Sequence, residues 1–170
     1  QYHSDVEIAA ELLQMEQRYP AIARRIDVRA GYGAPATWEG RSIYVLKISD
    51  NPALDEDEPA VLVVSNHHAR ELITPEIALD TASRLLASYG VDPRITRWID
   101  TTEIFIAPTW NPDGLAFVWS TNNMWRKNRR NNGGGIYGVD QNRNYPFQWA
   151  ACAGASTDPN SEVYQGPTAA

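Results

Sequence analysis

Apolar positions recur at helical spacing from the start of the chain. Over residues 4–18, Ile8, Leu12, Met15 and Tyr19 fall on one face, and Pro20 follows the stop, which predicts a helix. Arg25 to Ala30 alternate and read as a strand, punctuated at its end by Gly31 and Gly33. Residues 42–48 predict a second strand, with Val45 and Ile48 between Gly40 and the turn Asp50-Asn51-Pro52. Residues 60–65 are a continuous apolar run, the pattern of a central strand covered on both faces. Thr74 as a cap and Pro75 in the first turn predict the next helix. Its apolar face is Ile77, Ala78, Leu85 and Leu86, and Gly90 is its stop. A short helix over 93–99 leads into a strand at 103–107. Strands separated by helices predict an α/β fold, a sheet with parallel pairs and helices on its faces.

The texture changes after Thr109. Residues 109–170 are rich in Asn, Gly, Pro and Trp and show little periodicity. Loops this long inside a compact domain tend to be functional. Ligands of open α/β sheets sit at the carboxyl ends of strands. Two segments meet that condition, His67-His68-Ala69-Arg70-Glu71 and Pro108 to Gly114.

Composition narrows the class. A chain of 170 residues suits one domain. With 43% hydrophobic residues, six Trp and eight Tyr, the chain does not have the make-up of a disordered one. Its longest strictly apolar runs, such as Val61 to Val64, are too short to span a bilayer. No signal-peptide pattern is visible, and the first residue is Gln1 rather than Met, so the chain reads as a processed product or an excised piece. Cys152 is alone, which excludes an internal disulfide and a Cys-based zinc cluster. The formal net charge is −6, yet from Trp119 to Trp149 five cations face the single acid Asp140. Those cations are Arg126, Lys127, Arg129, Arg130 and Arg143, and an anionic ligand would meet the protein there.

The candidate chemistry lies in three groups. His68 and Glu71, three apart at a strand end, can turn toward one point, and zinc accepts imidazole nitrogen and carboxylate oxygen. His67 is expected to point the other way, since successive side chains in extended structure alternate. Trp125-Arg126-Lys127-Asn128-Arg129 offers guanidinium forks suited to a carboxylate or a polarised carbonyl; its plainer reading is a solvated basic loop. In Gly138 to Tyr145, Asp140 could hold a ligand imidazole by its second nitrogen, and Asn142 and Arg143 place amide and guanidinium donors side by side. The acidic loop Asp55-Glu56-Asp57-Glu58-Pro59 is a solvated turn or a calcium site, and its spacing is not that of an EF-hand.

Taken in order, these motifs resemble the metallocarboxypeptidases of the A/B type. The residues that carry the resemblance are His68-Ala-Arg-Glu71 with Ile73-Thr74-Pro75-Glu76, Asn111-Pro112-Asp113-Gly114, Trp125-Arg126-Lys127, Val139 to Asn144, and Tyr164-Gln165-Gly166-Pro167. Ile48-Ser-Asp-Asn51 with the acidic loop, and the Gly/Ala/Ser-rich 152–157 stretch, are most similar to the bacterial carboxypeptidase T branch. The resemblance covers essentially the whole chain. It implies a mixed, mostly parallel central sheet with helices on both faces, of which residues 1–170 would be the N-terminal part of one catalytic domain.

It also implies roles. His68 and Glu71 would bind zinc, and Asp140 would orient His68. Arg126 would act on the scissile carbonyl and the oxyanion, Asn142 and Arg143 would grip the terminal carboxylate, and Arg70 would assist substrate binding. The acidic loop, with Glu103, would take calcium, although Ala60 stands where that branch often has another acid. Asn123 stands where the animal digestive members carry Arg. The family's third zinc ligand, a downstream His, its Tyr lid and its Glu base would lie beyond Ala170, since the histidines here are His3, His67 and His68. Glu162 is available as a base, but nothing in its context recommends it. The implied function is zinc-dependent release of C-terminal residues from peptides or proteins outside the cell, with neither nucleic acid nor membrane as partner. The alternative is a noncatalytic domain that binds peptide C-termini. The chain by itself is expected to be inactive.

Overall fold

A computed structural model describes residues 2–151 and 153–170. Gln1 and Cys152, and with them the readings of the first residue and the lone cysteine, lie outside the described residues.

The first helix, α1 (Asp5–Arg18), starts where Ser4 and Glu7 form a reciprocal capping box and buries Ile8, Leu12 and Met15 as the periodicity requires. Strand β1 (Ala23–Asp27) begins earlier than the alternation suggested. Residues 28–30, read as strand, belong to a short helix α2 (Val28–Tyr32), because the Asp27 side chain accepts from Arg29 N and Gly33 closes the turn at φ 69°. Strands β2 (Tyr44–Ile48), β3 (Ala60–Val64) and β4 (Glu103–Ala107) fall on the expected runs. Helix α4 (Pro93–Ile99) is also where expected.

Helix α3 (Ile73–Ser88) corrects one detail. It opens at Ile73, with Leu72 as a cap that makes no side-chain bond. Thr74 is already inside, its hydroxyl donating to Glu71 O at 2.9 Å and accepting from Asn66 N at 3.1 Å. The face it buries is Pro75, Ala78, Leu79, Ala82 and Leu86, whereas Ile77 is exposed. A helix that the aperiodic texture hid, α5 (Pro112–Ser120), follows β4. Asn111 caps it and Pro112 occupies its first turn.

The sheet order is β1-β2-β4-β3. β1 pairs with β2 and β2 with β4 antiparallel, and β3 pairs with β4 parallel. The sheet is mixed, as expected, but a parallel majority is not carried by these four strands. β3 and β4 are joined through α3 and α4, which supplies the crossover that parallel neighbours need. One core cluster joins α1, α3, α4 and α5 to Leu46, Ile48, Ile104 and Ile106 on one face of the sheet. The opposite face presents Val45, Lys47 and Phe105, with α2 close enough that a Cβ on Gly31 would meet Ile26 at 2.8 Å.

β3 overturns an expectation. It is an edge strand among the described residues, and Val61, Leu62 and Val63 are 49%, 57% and 37% exposed. The apolar run is what a doubly covered strand needs, but among the described residues β4 is the one strand paired with it.

Candidate active site

Two strand ends and two long loops converge. After β3 the chain turns at Asn66, a non-glycine residue at φ 55°, a region where Asn is favoured over most side chains. Its buried amide fixes the following loop by donating to His68 O at 3.1 Å and Ala69 O at 3.3 Å, while Thr109 beyond β4 donates to its Oδ1 at 3.1 Å. Asn111 does the same from the other strand end. Its Nδ2 donates to His67 O and to Lys127 O, each at 3.1 Å, and its Oδ1 accepts from Gly114 N. Ala69 N donates to Arg126 O at 3.0 Å, which sets the His68 loop beside the Trp125-Arg126-Lys127 segment. Neither Asn66 nor Asn111 was singled out as a site residue from the sequence. The only available signals were the polar residue ending an apolar strand and the Asn-Pro helix start.

His68 sits at the centre, nearly buried. Its Nδ1 lies 2.8 Å from Glu71 Oε1, and its Nε2 lies 3.2 Å from Asp140 Oδ1. Asp140 is fully buried and also accepts from Asn142 N at 3.0 Å and from the Arg126 guanidinium at 2.9 Å on Oδ2. A carboxylate in that position draws the imidazole proton onto Nε2 and leaves the Nδ1 lone pair on the side of Glu71. Imidazole nitrogen and carboxylate oxygen therefore converge on one point. That donor set suits zinc and supplies two of the three protein ligands a catalytic site normally takes. The two residues open onto a cavity of about 310 Å³ whose walls include Asn142 and His67.

The remaining predicted residues are placed as follows. His67 lines the same cavity rather than pointing away from it, and its Nε2 lies 2.6 Å from the Tyr145 hydroxyl. Burial, and next the neighbouring His68, hold its imidazole below the ordinary value, so it favours the neutral form. Asn142 lines the cavity, while Arg143 is not among its walls; Arg143 donates to Asn142 O at 2.9 Å, and its buried Nε has no hydrogen-bond partner among the described residues. Arg70 donates to Met124 O and forms an ion pair of 2.8 Å with Glu162. Glu162 thus has a place beside Arg70.

Lys127 is buried under this network. It donates to Pro159 O at 2.7 Å, and burial lowers its ammonium pKa against the opposing pull of Glu162, Asp158 and Asp140. Gly138 passes so close, at φ 92°, that a Cβ there would meet Lys127 Cβ at 2.6 Å.

The acidic loop is rearranged relative to expectation. The side chains that come together are Asp50, Glu56 and Glu58, each with one carboxylate oxygen within 4.8 Å of the others. Asp55 and Asp57 are exposed and outside that group. Glu103 is also outside it, because Lys47 Nζ forms a buried ion pair with its carboxylate and Glu56 N donates to it at 3.2 Å. Asp50 was read as a turn residue and as part of the Ile48-Ser-Asp-Asn51 string, but not as a calcium ligand.

A mixed α/β scaffold carrying a His–Glu pair at a strand end, with a buried carboxylate behind it and a guanidinium beyond, has the architecture of a metal-dependent hydrolase. The chain belongs to the zinc carboxypeptidase family, whose model matches residues 8–170. It is 39% identical over 153 residues to a zinc carboxypeptidase of Saccharothrix mutabilis subsp. capreolus, covering 89% of this chain and 34% of that protein. It is 37% identical over 167 residues to carboxypeptidase A2 of Rattus norvegicus, covering 98% of this chain and 37% of that protein.

Among solved structures it resembles thrombin activatable fibrinolysis inhibitor, with a TM-score of 0.85 and 31% identity over 99% of this chain and 40% of that one. Carboxypeptidase A of Helicoverpa armigera gives 0.84 and 28%, over 99% and 39%. The chain thus spans between a third and two fifths of the length of these relatives.

Proposed function

We propose that this chain is the N-terminal part of a carboxypeptidase catalytic domain, closest to the carboxypeptidase T branch, and that the whole protein hydrolyses the C-terminal peptide bond of extracellular peptides or proteins. The observation that carries the proposal is His68 held between Glu71 and Asp140, with Arg126 on the other oxygen of Asp140. Zinc, when bound by His68, Glu71 and a third ligand outside this chain, supplies Lewis acidity and a water of lowered pKa. The chain's own residues do the rest of what it contributes. Asp140 keeps the His68 proton on Nε2. Arg126 presents donors to the oxygen that becomes negative in the tetrahedral state. Asn142 and Arg143 take the free carboxylate of the substrate, and Arg70 with Glu162 borders the approach.

Kinetics of single variants in the whole protein separate these roles. Arg143→Ala removes a forked contact made before and during reaction. It should raise KM and erase the preference for a free over an amidated C-terminus. Arg126→Ala should chiefly lower kcat, by on the order of 10²–10³ if it acts as other oxyanion donors do. An Arg143→Ala enzyme that still discriminates free from amidated termini as the wild type does would remove the carboxylate reading. An Arg126→Ala enzyme changed only in KM would remove the oxyanion reading.

The same resemblance extends to calcium, which we place at Asp50, Glu56 and Glu58 rather than at the full Asp55–Glu58 run with Glu103. Glu58 supports this. One of its carboxylate oxygens is buried without a partner, and burial, then Glu56 and Asp50, raise its pKa. Millimolar calcium should raise the melting temperature, because a ligand bound only by the native state stabilises it. A temperature unmoved by calcium, or moved equally in Glu58→Gln, would remove the site.

A further inference from the structure

The string Asn111-Pro112-Asp113-Gly114 carries part of the resemblance but has no role in the chemistry described above. Asn111 is 1% exposed and caps α5, its Oδ1 accepting from Gly114 N at 3.0 Å. An amide whose oxygen is committed in that way turns its Nδ2 to the other side, with two hydrogens to give. Both go to backbone carbonyls at 3.1 Å, one to His67 O and the other to Lys127 O. Those carbonyls belong to loops distant in sequence. Each lies one residue from a group of the proposed chemistry, His68 in the first loop and Arg126 in the second. One buried side chain therefore ties the loop of the metal pair to the segment of the guanidinium.

The rest of the string holds the same segment. A Cβ on Gly114 would meet the Asn111 amide at 2.6 Å, so the helix start approaches it this closely only as glycine. Asp113, 2% exposed, accepts from Thr37 Oγ1 at 2.8 Å and from Glu39 N at 2.9 Å. The Glu39 carboxylate pairs in turn with Arg129 at 2.9 Å, and the Arg129 guanidinium lies over the rings of Phe117 in α5 and of Trp125. Arg126 stands inside that frame, with its guanidinium on Asp140 Oδ2 at 2.9 Å.

We propose that Asn111 is a positioning residue that sets the Arg126 oxyanion donor relative to the His68–Glu71 metal pair. The inference rests on the carboxypeptidase reading, since only there do the two act on one tetrahedral centre. Asn111 is not among the walls of the cleft and acts through the two carbonyls. A donor has to meet the oxygen where it becomes negative, and a misplacement of about 1 Å can cost on the order of 10²-fold. Aspartate is the sharpest replacement. It keeps the shape and the cap on Gly114 N, but sets an oxygen without hydrogens against two carbonyl oxygens.

The experiment measures kcat and KM of the whole protein on a peptide free acid, together with the dissociation constants of two probes. One probe is a phosphonate analogue of that peptide, which mimics the tetrahedral state; the other is the amino acid that the peptide releases, which offers its carboxylate alone. Asn111→Asp should lower kcat and phosphonate affinity at least about tenfold, and change KM and amino-acid affinity less than about threefold. Gly114→Ala, which crowds the same amide without altering it, should act in the same direction and carries the test if Asn111→Asp does not fold. In an Arg126→Ala background Asn111→Asp should add less than about threefold, whereas in Arg143→Ala its full effect should return. Leu12→Ala, in the core of α1, should lower the melting temperature and leave these ratios unmoved. Wild-type kcat and phosphonate affinity in both Asn111→Asp and Gly114→Ala, equal losses for the two probes, or a full loss that persists in Arg126→Ala would overturn the proposal and leave the carboxypeptidase reading standing. An Arg126→Ala single variant with wild-type kcat and phosphonate affinity would remove the oxyanion reading, and the proposal with it.

Discussion

Asp140 is where a single residue does most. One buried carboxylate accepts from Asn142 N and lies against His68 Nε2 on one oxygen, and accepts from Arg126 on the other. Asp140→Asn keeps the shape but loses the charge that holds the His68 proton and the Arg126 guanidinium. Zinc affinity of the whole protein, measured by competition with a chelator, should fall roughly 10–100-fold. An Asn variant that binds zinc as the wild type does would show that His68 is oriented by something else. The short spacing of His68 and Glu71 made that pair legible as a candidate, whereas Asp140 and Arg126 lie far from it in sequence and entered as candidates in separate segments, with roles that rested on the resemblance. Asn66 and Asn111 were not legible as site residues, although they are as buried as Asp140. Their function is to satisfy backbone groups of loops distant in sequence, and no spacing pattern records that. Asp50 escaped for a related reason, since a turn residue becomes a cluster member only once the loop folds back over it.

At the level of elements, those whose hydrophobic period is long or whose ends carry caps were legible from the pattern of residues. α1, α4 and the cores of the strands stand where the pattern put them. α2 was missed because Asp27 ends the strand by capping, and α5 because its start lies in an Asn-Pro-Asp-Gly string that also reads as a turn. β3 looks central and stands at the edge, since a run of apolar residues reports what a strand needs and not what covers it. The buried pair Lys47–Glu103, which joins β2 to the first residue of β4, gives a pH test. The hydrogen bond from Lys47, then that from Glu56 N, holds the Glu103 carboxyl below its ordinary pKa against the opposing effect of burial. The sign follows. The pair contributes stability above the ordinary carboxylate value and loses it as pH falls through the lowered one. Glu103→Gln leaves the Lys47 charge buried alone and should cost about 3–5 kcal/mol at neutral pH, with a flatter acid limb in the melting curve. A variant with the wild-type stability and the wild-type acid limb would mean that the pair does not matter to folding.

Over the whole molecule, an acidic protein gathers its positive charge beside the cleft where a carboxylate would dock. Most of the basic stretch is committed internally, to Asp140, Pro159 O and Glu39, so what faces a ligand is a few oriented guanidinium groups and not a diffuse patch. Val61, Leu62 and Val63 of strand β3 and Ile73 and Ile77 of α3 are exposed apolar side chains on the two elements that flank the His68 loop. The fold places that loop on a rigid strand end, with two asparagines and Asp140 fixing its geometry from behind. The most direct measurement of the central claim compares one peptide as its free acid and as its C-terminal amide. Both are incubated with the whole protein and followed by mass spectrometry with and without chelator. Stepwise loss of C-terminal residues from the free acid alone, stopped by chelator and restored by zinc, is the expected result. Equal cleavage of acid and amide, cleavage at internal bonds, or activity indifferent to the chelator would contradict it.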